Sequence, residues 1–329
     1  MKYFILANCF LAVLFAFSQD EDWSNFKKQY NKKYFSLAEE QRRYLIYLDN
    51  IKLTREHNIL YEKQEKSFAL GQNKYSDMTH SEFLEHFRLN RNLDLSSLKK
   101  LNTVTVETSQ ANDVPKALNW VEKGAVTEVK DQGNCGSCWA FSTVGSMEGA
   151  YFLKRKKLVS FSAQQLLDCD KKEFGCGGGS TYDAYIYFTL YKPMPEKFYP
   201  YVARQGNCNY DESKAVNEII AYFTQPKKNV DSVMESVSIY GPHSVLIDSG
   251  SLEFKHYKKG VFKIDNCSQT NPIHGVLLVG YGTENNLDYW LVKNSWSEDW
   301  GENGYVKMWK SNDNMCGIMN YAYGPKFKD

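Results

Sequence analysis

The stretch DQGNCGSCWAFS, residues 131 to 142, places Cys135 and Cys138 three positions apart. Two cysteines at that spacing serve a dithiol redox couple, half of a zinc site, or a nucleophilic thiolate whose neighbour is tied up elsewhere. A redox couple wants a preceding βαβ unit, and none is legible before residue 131. A zinc site wants a second ligand pair at short spacing, whereas Cys169 and Cys176 stand seven apart. The nucleophile has local support. The pattern is helical from Ser137 to about Lys154, so Cys138 falls at a helix N-terminus, where the dipole stabilises a thiolate. Lys154, Arg155, Lys156 and Lys157 gather at the opposite pole, which favours cations.

A thiolate nucleophile needs a base held in orientation. Beyond residue 113 the histidines are His243, His256 and His274. His274 opens the strand-like run HGVLLVGYG, and after the turn TENNLD a return strand ends at Asn294. In an antiparallel hairpin centred near Glu284, His274 and Asn294 lie across from each other, give or take a bulge. The amide oxygen of Asn294 can then accept from the imidazole. Trp296, two residues on, shares that strand face and can shield the bond from water. Gln132, in a glycine-containing loop six residues before Cys138, can donate to a developing oxyanion beside the Cys138 backbone N–H.

The elements that must position these groups divide the chain in two. Residues 21 to 66 are charged and helical in pattern, with Ser36 and Glu39 at the spacing of a capping box and an amphipathic run through Tyr44, Leu45, Leu48, Ile51 and Leu53. A turn follows at GQNKYSD, then a short helix near THSEFLEHF. Residues 88 to 113 are mostly polar and lack aromatics, and read as an extended linker. Past it come most of the glycines and tryptophans. A helical half leads into strands beyond about 240, at HGVLLVGYG, YWLVKNSW and GYVKMWK, which predicts an α+β domain.

Composition narrows the function classes. With 329 residues, 43% hydrophobic, the chain can bury a sizeable core, and a formal net charge of +1 gives no reason to expect nucleic acid or an anionic membrane as partner. MKYFILANCFLAVLFAFS has the basic start, short apolar run and small-residue end of a secretory signal, and is too short to span a bilayer. Of the 8 cysteines, Cys9 leaves with that signal. The odd number remaining leaves at least one thiol unpaired in an oxidising compartment, and Cys138 is assigned that place.

Taken together, QGNCGSCWAFS, GCGGG, HGVLLVGYG and NSWSEDWG resemble the papain family of cysteine peptidases, its cathepsin L-like branch in particular, over roughly residues 22 to 329. Glu39, Arg43, Tyr47, Asn50, Thr54 and Asn58 fall at the spacing of that family's helical propeptide motif, and GQNKYSD is similar to its second propeptide motif. The resemblance implies a papain-like fold of two subdomains, one helical and one β-barrel-like, preceded by an inhibitory propeptide. The expected division is a signal at 1–18, a propeptide at 19–112 and a mature domain at 113–329.

It further implies a cysteine endopeptidase working through a thioester acyl-enzyme and made as an inactive zymogen. Cys138 and His274 would form the thiolate–imidazolium pair, with Asn294 as orienter and Gln132 in the oxyanion hole. Disulfides would join Cys135 to Cys176, Cys169 to Cys208 and Cys267 to Cys316. Gly178 and Gly179 match the backbone edge that pairs with substrate. Thr181 and Leu246 match positions lining the main specificity pocket, and Tyr321 the position at its far end. No metal or other cofactor is implied. Expected partners are protein and peptide substrates, the chain's own propeptide and cystatin-type inhibitors, and the enzyme is expected to be a monomer. The secretory pathway leads to a lysosome, a vacuole or the exterior. Ile273, Ser297 and Gly177 depart from the usual residues, and none of them removes a catalytic group.

Overall fold

The computed structural model describes residues 21–87, 104–105, 114–218, 220–225 and 228–327, without the side chains of 104–105 and 221–225. The signal segment 1–18, most of the linker and both ends of the expected propeptide lie outside them. In chain order the described elements begin with α1 (residues 21–29), α2 (Leu37–Glu62), β1 (Phe68–Leu70), α3 (His80–His86), β2 (Val104–Thr105) and β3 (Leu118–Asn119). Then come α4 (Cys138–Arg155), α5 (Ala163–Cys169), α6 (Thr181–Leu190), β4 (Ile220–Gln225), α7 (Val230–Tyr240) and β5 (His243–Ile247). The chain closes with α8 (Leu252–His256), β6 (Tyr257–Phe262), β7 (His274–Glu284), β8 (Leu287–Lys293), β9 (Tyr305–Trp309) and β10 (Ala322–Phe327).

Local chemistry sets the helix starts. Ser36 caps α2 by accepting from the Glu39 N–H, but Glu39 does not complete a capping box, because its carboxylate is taken by Arg42 and Arg43. The full box belongs to α3, where Thr79 and Glu82 satisfy each other's backbone N–H groups. The apolar stripe expected on α2 is only partly buried: Tyr44, Leu48 and Ile51 pack against the Trp23 cluster and Leu53 against the sheet core, but Leu45 does not. Leu45 is 57% exposed, while Tyr47, Asn50 and Thr54 are buried. That face is polar because it clamps a loop: Tyr47 donates to Gln72, Asn50 to the carbonyls of Ser76 and Met78, and Asn58 bonds both backbone groups of Leu70. The GQNKYSD turn is thus held by backbone recognition, and a small aromatic core of Trp23, Phe26 and Tyr47 closes the far side.

The strands form one sheet in the order β1-β6-β9-β8-β7-β5-β10-β4-β2, with β3 beside β7. The α+β class is as expected, but the sheet is open and no barrel closes. β1 covers one outer edge by pairing antiparallel with β6. Between β7 and β8 the turn is only Asn285-Asn286, both in the left-handed region (φ 49° and 62°) as a two-residue hairpin requires. Two large cores result. One lies on the sheet and includes Trp290, Trp296 and Trp300; the other packs α4, α5 and α6 around Trp139, Tyr185 and Phe188. Three disulfides, Cys135–Cys176, Cys169–Cys208 and Cys267–Cys316, complete the frame.

Candidate active site

Cys138 is the free cysteine of the described residues, and it is the first residue of α4. No side chain caps this helix, so its first N–H groups remain available to the sulfur. Burial pushes the thiol up, opposed in part by the backbone N–H groups of Gly275, Trp139 and Cys138 itself, which favour the thiolate. Gly275 explains how a strand can come so close: a Cβ there would lie 3.1 Å from the Cys138 carbonyl oxygen and 3.3 Å from the Cα of Trp139. The start of β7 therefore presses against the start of α4, and the residue before Gly275 is His274.

Nε2 of His274 donates to Oδ1 of Asn294 at 2.8 Å, and the Ser295 N–H donates to the same oxygen at 2.8 Å. The Trp296 ring stacks on the imidazole with centroids 4.8 Å apart and planes 24° apart. Nδ1, the other ring nitrogen, has no partner. With Nε2 carrying the hydrogen, Nδ1 is the basic atom of the neutral ring. Burial pulls the imidazole down to about 4, opposed by the Asn294 hydrogen bond. In the intact chain a raised thiol and a lowered imidazole favour the neutral forms of both.

The register that joins these residues differs from the simple hairpin count. Leu277 faces Lys293, so Asn294 follows on from a pair three residues beyond His274, and a bulge interrupts the ladder between Leu278 and Gly280. The partner of His274 in register is Ile247 of β5. The side-chain bond spans the offset.

Gln132 is fully buried and held at several points. Its Oε1 accepts from the Ser295 hydroxyl (2.7 Å), its Nε2 donates to the Cys135 carbonyl (2.8 Å), and its N–H donates to the Ser295 carbonyl (2.8 Å). With Oε1 taken and one amide hydrogen used, one N–H is left to donate. Ser295 thus fixes Asn294 and Gln132 together, and Tyr201 adds a bond from its hydroxyl to the Gln132 carbonyl (2.7 Å). Neither residue stands out in the sequence, since the contacts that matter join segments far apart in the chain. Lys293 likewise ties β8 to α4: it donates to the Thr127 carbonyl (2.9 Å), and the Thr127 hydroxyl donates to Glu148 (2.7 Å).

The other expected residues fall into two groups. Gly178 has φ +112°, and nothing lies within 4 Å of where its Cβ would be, so this backbone is open to a visitor. Gly179 is the reverse, since a Cβ would meet the Trp139 ring at 2.6 Å. Leu246 donates its N–H to the Tyr321 carbonyl at 3.3 Å, and the Tyr321 ring packs on the helical core that includes Tyr182 of α6. Thr181 begins α6, is buried, and its hydroxyl has no partner.

The N-terminal segment, expected to be a propeptide, reaches this site through aromatic rings. Phe87 stacks on Trp296 with centroids 4.6 Å apart, on a ring that itself stacks on His274. Phe83 meets Trp296 edge-on at 5.2 Å, Tyr75 donates to the Trp296 carbonyl at 3.4 Å, and Lys74 pairs with Asp131 beside Gln132. No group of three or more His, Cys, Asp or Glu side chains among the described residues is arranged to hold a metal ion.

Residues 114–326 match the papain family cysteine protease model, and residues 23–83 match that of the cathepsin propeptide inhibitor domain. The chain is 40% identical to a cathepsin L-like proteinase of Fasciola hepatica, covering 99% of this chain and 98% of the relative. It is also 40% identical to cathepsin S of Mus musculus, over 93% of this chain and 90% of that one. The solved digestive procathepsin L 3 of the Tenebrio molitor larval midgut superposes with a TM-score of 0.85 at 37% identity, covering 94% of this chain and 99% of that one. The chain belongs to the papain family of cysteine proteases. It is a cysteine endopeptidase built as a zymogen, with its inhibitor domain at the N-terminal side.

Proposed function

We propose that Cys138 is the nucleophile, His274 the base and then the acid, Asn294 the group that orients the imidazole, and Gln132 with the Cys138 N–H the oxyanion hole. The observation that carries this reading is the His274–Asn294 bond under the Trp296 ring. It leaves Nδ1 unpartnered on the strand that presses against the N-terminus of α4. In the opened enzyme water reaches both groups, the thiol falls and the imidazole rises, and the proton moves from sulfur to Nδ1. The Cys138 thiolate attacks the substrate carbonyl carbon, and the oxygen takes up negative charge between Gln132 and the helix N-terminus. The imidazolium gives its proton to the leaving amine as the C–N bond breaks, leaving a thioester. Water then loses a proton to His274 and adds to the thioester, and the sulfur departs as thiolate.

On the same reading, Gly178 and Gly179 offer backbone groups to an extended substrate. Thr181, Leu246 and Tyr321 shape the pocket for the side chain one before the scissile residue. Residues 1–18, 19–112 and 113–329 are signal, propeptide and mature enzyme. A cystatin-type inhibitor would block the cleft, and the enzyme would act as a monomer in a lysosome, a vacuole or outside the cell. The deciding experiment is incubation of the full chain at acid pH with N-terminal sequencing of the product, beside a Cys138→Ala control. Processing of the wild type near residue 113, and none in the control, supports the assignment. Equal self-processing in the control refutes it.

A further inference from the structure

The turn and strand at residues 68–80 rest on a cluster of basic side chains at the end of α8. Lys255 and His256 end α8 in the peptidase domain, and both are fully buried. Four propeptide residues close over them. Gly71 donates its N–H to the His256 carbonyl (2.8 Å), Asn73 donates its amide to the Lys255 carbonyl (2.8 Å), and the Lys255 ammonium donates to the Met78 carbonyl (2.6 Å). His80, at the start of α3, adds a third basic group to the cluster.

Neither ring nitrogen of His256 has a hydrogen-bond partner, nor does Nδ1 of His80. Leaving a buried polar atom unpaired is costly, and a buried unpaired cation far more so. The charged groups acting on His256 are Lys255 and His80, both basic; the Gly71 backbone opposes them, with a smaller effect than Lys255 and a larger one than His80. The carboxylates nearby are engaged elsewhere. Asp77 accepts from Lys32 and Tyr34, Glu82 from Arg43 and Arg42, and both act on Lys255 rather than on the ring. Glu253, on the same helical turn, acts on His80 and on His57 of α2, which bonds the Phe68 carbonyl. On the β6 side the Lys258 side chain lies against Gly71.

We propose that His256, with Lys255 and His80 beside it, is an acid sensor in the propeptide interface: protonating its ring favours the form in which residues 71–80 have lifted away. This inference concerns regulation of the peptidase and rests on the zymogen reading. Burial holds the three groups below their ordinary values, His256 at about 3, Lys255 at about 7 and His80 lowered. The sign follows directly. A base whose pKa is depressed in the closed form binds its proton in the open form first. The two histidines therefore leave closure unaffected above about pH 6.5 and weaken it as pH falls below that, whereas Lys255 acts between its ordinary range and about 7 and is charged in both forms in acid. Each proton taken up by the open form alone shifts the equilibrium by up to about tenfold per pH unit, so His256 by itself contributes about 50-fold between pH 6.5, where the open-form ring is half protonated, and pH 4.5.

The test uses the full chain with Cys138→Ala, so that opening is read without self-cleavage. The opening equilibrium of residues 68–78 is measured by amide hydrogen exchange, corrected for intrinsic rates, at pH 6.5 and 4.5. His256→Phe is expected to reduce the ratio of the two values by about 50-fold; a ratio within threefold of the parent's overturns the proposal. The ratio is insensitive to a uniform loss of stability. If the Phe variant fails to fold, the His256 ring is titrated by NMR in the parent chain. A ring that stays neutral below pH 5 while residues 68–78 remain protected supports the proposal, and one that titrates near 6.5 under that protection overturns it. Residual processing in the Cys138→Ala chain would count against the catalytic assignment and leave the opening ratio interpretable.

Discussion

Replacing Asn294 by Ala removes an acceptor from a buried imidazole and touches no atom that must carry a proton. In the intact chain His274 is fully buried and Asn294 is 3% exposed, and the Trp296 ring that stacks on the imidazole belongs to the peptidase domain, so it still limits how freely water substitutes for the lost bond after maturation. A hydrogen bond to a charged partner is worth about 1.5–3 kcal/mol. The imidazolium, charged through acylation, loses that support, and kcat/KM is expected to fall about 10- to 150-fold. The pH profile supplies a second readout. The Asn294 bond raises the His274 pKa, so its removal lowers it, and the basic limb of kcat/KM moves to lower pH. Asn294→Asp, which offers a charged acceptor, moves that limb the other way. The assay is hydrolysis of a fluorogenic peptide by the acid-matured enzyme across pH, with active sites counted by alkylation of Cys138. His274→Ala is expected to lose far more. Equal losses in the two Ala variants, or a basic limb that stays in place, would refute the role given to Asn294.

Three further outcomes can be checked. Cys138→Ala is expected to fold and be secreted without turnover, whereas Cys135→Ala opens a disulfide spanning 41 residues, worth about 4 kcal/mol by loop closure, and reduces secretion; a normally secreted Cys135 variant sinks that contrast. On the proposed assignment Tyr321 would shorten a pocket formed with Leu246, and overfilling a packed site costs about 1–3 kcal/mol, so a peptide library is expected to show Val or Leu over Phe one residue before the cleaved one. Tyr321→Ala restores Phe, and a wild-type profile that takes Phe as readily as Leu argues against the idea. Thr79→Ala removes the capping box of α3 at a cost of about 1 kcal/mol, which favours opening roughly fivefold and speeds maturation at fixed pH; unchanged maturation kinetics would show that α3 does not limit release.

Local signals in the chain were read well where they are short-range. The helix opened by Cys138, the strands at 274, 287 and 305, and the Ser36 cap all depend on neighbours within a few residues. Reading failed where long-range contacts outvote periodicity. Leu45 looks like core on a helical wheel and is exposed, because the face of α2 that matters binds backbone through Tyr47, Asn50 and Asn58. The pairing count brought His274 near Asn294, yet a tighter turn at Asn285-Asn286 and a bulge after Leu278 set a different register. Ser295, which joins Asn294 to Gln132 across 163 positions, has no local signature at all. The contacts of His256 are equally silent, since its neighbours arrive from the propeptide.

The pairing of β1 with β6 carries a consequence for the life of the enzyme after activation. Gly260, at φ +88°, lets the Ser67 carbonyl approach to 2.6 Å of where a Cβ would stand, so this rim is shaped to receive another strand. When the propeptide leaves, the β6 rim loses its cover, and bare strand edges invite pairing with other chains. Two exposed lysines, Lys258 and Lys259, remain there, the kind of charge that discourages such pairing by repulsion. That protection weakens as salt screens it. The mature peptidase, its β6 rim uncovered, is therefore expected to lose solubility before the zymogen as ionic strength rises.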